Sequence, residues 1–120
     1  MVRLKSKLWV QAHLHRCNAA GVSAMLVQKG NDDAGSIFVK SNLLNGTAII
    51  YGPAPGGAHN DSGERRWSQP LGKEPRPEPE VDAYLQRQRG YDPDFWVIEI
   101  EDRDGKVFLD NILSEDEEEK

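Results

Sequence analysis

Three potentially reactive side chains, His13, His15 and Cys17, lie close together near the start of the chain. Imidazole and thiolate groups bind zinc, or act as bases and nucleophiles, when they converge on one point. On a helix, however, side chains two positions apart diverge by about 200°. The spacing therefore predicts no metal site. It favours an exposed His13, a His15 buried at the edge of the stripe through Leu4 and Leu8, and Cys17 as a small buried thiol.

Acidic side chains gather near the C-terminal end, where Glu99 and Glu101 share a face of a predicted strand that runs into an acidic turn at 102–105. Oxygen ligands on one face can hold a divalent cation, but the turn lacks the later ligands of a calcium loop. A solvated strand face is the favoured interpretation. An enzyme of unrecognised type, using His13 or His15 with these carboxylates, is the alternative that we keep open.

Arginine and tryptophan lie side by side at Arg65, Arg66 and Trp67, after a Gly- and Pro-rich loop. These two residue types are enriched at interface hot spots. If the chain has a ligand or partner site, we expect a groove bounded by Tyr51, Pro53, Arg65, Arg66 and Trp67. The alternative is that Trp67 belongs to the core while both arginines are solvated. No cofactor-binding motif accompanies these residues, and no cofactor is expected.

The composition limits the class of protein. A chain of 120 residues with 38% hydrophobic residues favours one domain, expected over 1–113. The single cysteine forms no internal disulfide, and no apolar run approaches membrane-spanning length, so a cytoplasmic location is expected. Most of the net charge of −5 comes from 114–120, an expected disordered acidic tail. The remaining body is nearly neutral, which argues against nucleic-acid binding.

Two helices are predicted. The first covers 4–20, with one apolar stripe through Leu4 and Leu8 and a second through Val10 and Cys17. The second covers about 78–89, with proline in its first turn and Gly90 at its end. Its predicted inward side chains are Val81, Tyr84, Leu85 and Gln88.

Strand character appears in several short segments. A nearly continuous apolar run at 22–29 predicts an inner strand, and we expect it to form a three-stranded meander with 37–40 and 47–51. Residues 65–69 are a further short candidate. The clearest strand is 95–101, with Trp96, Ile98 and Ile100 on one face, and 107–109 is expected to pair back on it.

These elements predict an α+β fold. We expect an antiparallel or mixed sheet of four to six strands, packed by the N-terminal helix and by the helix near 78–89. An α/β three-layer sandwich is the alternative architecture.

Four segments together resemble a known family of short proteins: RLKSKLWV at 3–10, YGPAP at 51–55, EVDAYLQRQR at 80–89 and DPDFWVIEIED at 92–102. The family is an uncharacterised alphaproteobacterial one, domain-of-unknown-function family 1491. The resemblance covers nearly the whole chain except the acidic tail, and the C-terminal stretch is its most specific part. It implies a bacterial cytosolic protein with a compact mixed domain. It carries no activity, substrate or catalytic residue.

The function favoured by the residues is a small non-catalytic binding or regulatory module. Its partner would be a protein or a second copy of the chain, engaged through an edge strand or the Arg–Trp surface. The alternatives are the unrecognised enzyme and a weak single-stranded nucleic-acid binder that stacks bases on Trp67. No membrane association is expected.

Overall fold

The structure is a computed structural model that describes residues 4–113. Within these residues two helices and six strands form an α+β fold with a mixed sheet, as predicted. The predicted acidic tail at 114–120 lies outside the described residues. The elements are α1 (Ser6–Ala19), β1 (Ser23–Gln28), β2 (Ile37–Asn42), β3 (Thr47–Pro53), β4 (Trp67–Ser68), β5 (Arg76–Pro77), α2 (Glu78–Tyr91) and β6 (Trp96–Glu101).

The sheet has the strand order β1-β6-β2-β3-β4, and β5 also pairs with β3. The predicted meander is therefore wrong, because β6 lies between β1 and β2, antiparallel to the first and parallel to the second. The short 30–35 connector resembles a hairpin loop in sequence. It instead crosses the start of β6, where the Asn31 amide donates to the Asp94 carbonyl at 2.9 Å.

Strand β6 is an inner strand of the sheet, and it carries apolar side chains on both faces. Trp96, Ile98 and Ile100 pack with the α1 side, and Phe95 and Val97 pack with the α2 side. This alternation is the one that the sequence predicts. Strand β1 is not the predicted inner strand but an edge strand, and its apolar run Met25, Leu26 and Val27 is substantially exposed.

One helix covers each face of the sheet. Helix α1 contributes Val10 and Cys17 to one core cluster, and α2 contributes Val81 and Leu85 to the other. The molecule thus has three layers, but most strand pairs are antiparallel, which places the fold in the α+β class.

The buried face of α1 differs from the predicted stripes. It consists of Ser6, Val10, His13 and Cys17, while Leu4 and Leu8 are exposed. Two of the buried residues are polar, and their burial is tolerated because each forms a hydrogen bond with a distant carbonyl. The Ser6 hydroxyl donates to Gly35 O at 2.6 Å, and His13 Nε2 donates to Val107 O at 2.8 Å. The predicted histidine assignment is reversed, since His13 is buried and His15 is exposed.

Helix α2 begins at the predicted residue, and its predicted inward face is confirmed, with Val81 and Leu85 buried and Tyr84 and Gln88 partly buried. It continues through Gly90 and ends before Pro93, whose ring disfavours helical backbone in the preceding residue. Within residues 4–113, neither helix has the length and apolar character needed to cross a membrane.

The segment after β6 does not form the predicted hairpin at 107–109. It turns away through left-handed backbone at Phe108 (φ 56°) and Asn111 (φ 61°). It then runs beside β4, where Trp67 N donates to Asn111 O at 3.0 Å and Leu113 N donates to Trp67 O at 2.9 Å. This crossing brings residues 107–113 against α1 and builds one wall of a cavity.

Candidate functional site

A cavity of about 290 Å³ lies between α1, the loop that precedes β4 and the 107–113 segment. Three larger aromatic rings and two imidazoles contribute to its wall: Trp9, Trp67, Phe108, His13 and His59. Four charged side chains face the same space: Arg16, Glu64, Arg65 and Asp110. The cavity therefore brings together aromatic, imidazole and charged side chains from three separate segments of the chain.

The aromatic wall is a layered stack. The His13 and Trp9 rings are parallel within 10°, with centroids 4.5 Å apart. Trp67 meets Trp9 at a tilt of 46° and 5.2 Å. Such stacking fixes the positions of large rings and gives the cavity a preformed apolar side.

The Arg65 guanidinium is held by this stack. Its central carbon lies 5.8 Å from the Trp9 ring centroid, and Nη2 donates to the Ser6 hydroxyl at 3.2 Å. Burial lowers the pKa of Arg65, yet a guanidinium stays protonated at neutral pH. Its buried Nε has no hydrogen-bond partner, and no ion pair among residues 4–113 includes this side chain.

Arg16 adds a second positive charge to the cavity. Its guanidinium carbon lies 5.7 Å from the Phe108 ring centroid. It too forms no ion pair with a described residue. The two acids of the lining, Glu64 and Asp110, are exposed and remain solvated. Among the four charged side chains of the cavity, Arg65 is therefore the one that has lost most of its hydrating water without gaining a counter-ion.

His13 is neutral in this environment. Because the Val107 carbonyl can only accept, Nε2 carries the proton and Nδ1 is the ring nitrogen with a free lone pair. Desolvation by burial lowers the pKa of His13 below its usual 6.5, and the hydrogen bond to Val107 offsets part of this shift. The charge of Arg16 lowers the pKa further, whereas the charge of Asp110 raises it. The proton is therefore bound more weakly in the folded protein than in the unfolded chain.

We expect His13→Phe to flatten the pH dependence of stability. Between the folded pKa and 6.5 the unfolded chain binds a proton that the folded protein does not, so wild-type stability falls as the pH drops below 6.5. The variant lacks this loss, although at pH 8 it is less stable by about 1–3 kcal/mol because the Val107 carbonyl loses its donor. Urea unfolding at pH 5, 6, 7 and 8 measures both effects.

His15→Phe is the matched control, because His15 is exposed on the same helix. It should keep the wild-type slope between pH 5 and 8. Equal slopes in the wild type and His13→Phe would show that the buried imidazole does not set this pH dependence.

Of the predicted site residues, Arg65 and Trp67 line the cavity. Trp67 is only 3% exposed, so it belongs to the core and contributes an edge of the wall rather than a surface anchor. Arg66 is directed elsewhere, because its Nη1 donates to Gly57 O at 3.1 Å.

The other two predicted residues lie outside this cavity. Tyr51 is buried in the core, where desolvation raises its pKa and a hydrogen bond with Gln69 lowers it. Pro53 lines a separate space of about 430 Å³, beside Phe38 and Tyr84. The five residues therefore do not bound one common groove.

Sequence reasoning missed two main contributors, Trp9 and Arg16. Trp9, His13 and Arg16 are spaced by four and three, which places them on one helical face. That spacing could have identified the wall of the cavity. The contributions of Glu64 and Asp110 depend on how two distant segments pack, which no local pattern encodes.

The carboxylates proposed for an enzyme with His13 or His15 are elsewhere. Glu99 forms an ion pair with Lys40 at 3.7 Å on the α2 side of the sheet. The carboxylates that share the cavity with His13 are instead Glu64 and Asp110. Within residues 4–113, no group of three or more His, Cys, Asp or Glu side chains is arranged to hold a metal ion.

A family model, described as "Protein of unknown function (DUF1491)", matches residues 4–110. The chain belongs to the DUF1491 family. This confirms the resemblance, and residues 4–110 include every cavity-lining residue except Asn111. The comparison with curated proteins gives no match.

Solved DUF1491 relatives share the fold of this chain. A crystal structure of a DUF1491 family protein from Caulobacter crescentus CB15 has 37% identity and a TM-score of 0.77, covering 94% of this chain and 100% of that one. An NMR structure of a Caulobacter DUF1491 protein has 38% identity and a TM-score of 0.75, covering 95% and 100%. The solution structure of protein Atu0922 from A. tumefaciens has 40% identity and a TM-score of 0.70, covering 83% and 86%.

Proposed function

We propose that this DUF1491 protein is a small cytoplasmic, non-catalytic binding module that acts through protein–protein contacts. A carboxylate of the partner enters the cavity beside Arg65. The observation that carries this proposal is the Arg65 guanidinium, which is fixed over Trp9 on the cavity wall without an ion-pair partner among residues 4–113. A partly desolvated cation of this kind gains most from a planar anion that matches its fork of donors.

The shape of the site suits one acidic side chain or chain terminus of a partner. A volume of about 290 Å³ lies at the lower limit for ligand pockets. The rings of Trp9 and Phe108 hold the two arginines before any ligand arrives, which reduces the ordering cost of binding.

The exposed acids of the lining suggest a selection rule. Glu64 and Asp110 repel additional negative charge near the entrance. A single carboxylate flanked by uncharged or basic residues therefore suits the cavity better than a run of acids.

We expect the blocked peptide acetyl-Ala-Glu-Ala-amide to bind at least roughly tenfold more tightly than its Gln analogue, because the Arg65 hydrogen bonds become charge-assisted. Titration followed by NMR of the Trp9 indole and His13 ring signals measures the affinity. Arg65→Gln should abolish the preference. Arg66→Gln is the matched control, since Arg66 bonds Gly57 instead of lining the cavity.

Two results would contradict the proposal. One is equal affinity of the wild type for the Glu and Gln peptides. The other is an Arg66→Gln variant that loses the preference as completely as Arg65→Gln does.

An enzyme remains the second candidate because His13, Glu64 and Asp110 line one cavity. The neutral His13 ring has an acceptor nitrogen, as a general base requires. Its Nε2 is committed to Val107, however, and the imidazole is nearly inaccessible.

Base stacking on Trp67, which the nucleic-acid alternative requires, is opposed by the burial of that ring.

A further inference from the structure

The outer edge of β1 combines features that favour pairing with another strand. β1 is the last strand in the sheet order, and only β6 pairs with it among the described elements. Its residues Ser23–Gln28 include no charged residue and no proline. Met25, Leu26 and Val27 are 42%, 46% and 50% exposed. Edges without charge or proline are the ones that recruit further strands.

One side chain of α1 occupies part of this edge. Asn18 Oδ1 accepts from the Ala24 amide at 3.3 Å, and Nδ2 donates to the Ala24 carbonyl at 3.2 Å. These are the two hydrogen bonds that a residue of a neighbouring antiparallel strand would make. The Asn18 amide is itself anchored, because Nδ2 also donates to Leu14 O at 2.8 Å.

The alternation of strand backbone defines what remains open. Since Ala24 directs its N–H and C=O outward, Leu26 directs the next pair outward. The pairing with β6 becomes irregular between Leu26 and Gln28. The regular part of the edge therefore offers two outward positions, of which Asn18 blocks one.

We propose that β1 is a pairing surface for a second copy of this chain, and that the Asn18 side chain competes with that copy for Ala24. In an antiparallel pair with two-fold symmetry centred on Met25, Ala24 of each copy faces Leu26 of the other. In this register each hydrogen-bonded pair between the two copies includes one Ala24. The backbone N–H and C=O of that Ala24 are already hydrogen-bonded to Asn18 of the same copy. The strand is self-complementary about this centre, because the facing side chains from Ala24 to Leu26 are apolar and no like charges meet along Ser23–Gln28.

Asn18→Ala is expected to tighten self-association at least about tenfold, because the Ala24 N–H and C=O of each copy are then no longer hydrogen-bonded to Asn18. Sedimentation equilibrium from micromolar to millimolar concentration measures the dissociation constant. Adding Leu26→Lys to Asn18→Ala should return the protein to monomer. Leu44→Lys in the same background is the matched control, since Leu44 is also 46% exposed and lies outside β1.

Hydrogen exchange keeps the test decisive if Asn18→Ala loses some stability. The Leu26 amide should gain protection as the protein concentration rises, and this gain should disappear when Leu26→Lys is added to Asn18→Ala. The proposal is overturned if folded Asn18→Ala stays monomeric at millimolar concentration. It is also overturned if Leu26→Lys and Leu44→Lys weaken the dimer equally.

Discussion

Lys40→Met is expected to lower the free energy of unfolding at pH 7 by about 3 kcal/mol. The Lys40 side chain is 7% exposed, and its ammonium lies 2.6 Å from Glu78, 2.8 Å from Asp82 and 3.7 Å from Glu99. Methionine has nearly the same volume, so the loss comes from charge. Glu99, only 16% exposed, is left without its cation, whereas the more exposed Asp82 is screened by water and contributes little.

The loss should be smaller at alkaline pH. Burial alone would lower the pKa of Lys40, but the carboxylates of Asp82, Glu78 and Glu99 together outweigh it and raise the pKa above its usual 10.5. A lysine whose pKa is raised on folding stabilises the protein at all pH values below 10.5, and this contribution disappears as the pH rises through the folded pKa. The wild type therefore approaches the variant above pH 10.5. Urea unfolding of both proteins between pH 7 and 11 measures the difference.

Lys29→Met is the matched control. Lys29 is 64% exposed and lies 3.9 Å from Asp32, so its replacement should change stability by less than about 0.5 kcal/mol. If both substitutions have the same small effect, the buried ion-pair cluster does not stabilise the fold in the way argued above.

Gly30→Ala is expected to destabilise the protein by about 3 kcal/mol. An added Cβ would collide with the Asp94 carbonyl oxygen, and it would lie 2.6 Å from the Phe95 carbonyl carbon and 2.8 Å from Trp96 Cδ1. Two of these obstacles are backbone, so rotation of a side chain cannot relieve them. The clash would separate the 30–35 loop from the start of β6, where Trp96 Nε1 donates to Asn31 O at 2.7 Å.

Gly90→Ala provides the control for this substitution. Gly90 lies within α2, and an added Cβ there meets nothing within 4 Å. Alanine should stabilise the helix by roughly 0.5–1 kcal/mol. Thermal and urea unfolding of both variants test the pair, and a Gly30→Ala protein as stable as the wild type would show that the loop moves away from β6 at little cost.

The sequence predicted the elements whose signals are local. Helix α2 has proline at its start and Pro93 beyond its end, and β6 has clean two-residue alternation, so both were located within two residues. The position of β6 between β1 and β2 was not predictable, because strand order depends on which faces pack together. The apolar run of β1 favoured an inner strand by the same local reasoning.

The candidate site was predicted only in part. Arg65 and Trp67 were identified from residue type, and both line the cavity. The role of His13 was hidden because its burial depends on the Val107 carbonyl, which lies 94 positions away in the chain. The left-handed backbone at Phe108 and Asn111 redirects the chain toward α1. Asparagine is enriched in this conformation, but phenylalanine is not, so the turn at Phe108 has no local signal.

The position of β6 between β1 and β2 has a consequence for synthesis on the ribosome. Of the six strands, β6 is translated last, yet it is the only described partner of β1 and one of two partners of β2. While the earlier part of the chain emerges, β1 lacks its described partner and β2 can pair only with β3. The sheet can therefore be completed only after Glu101 leaves the exit tunnel, and until then the nascent chain exposes unpaired strand edges that favour aggregation.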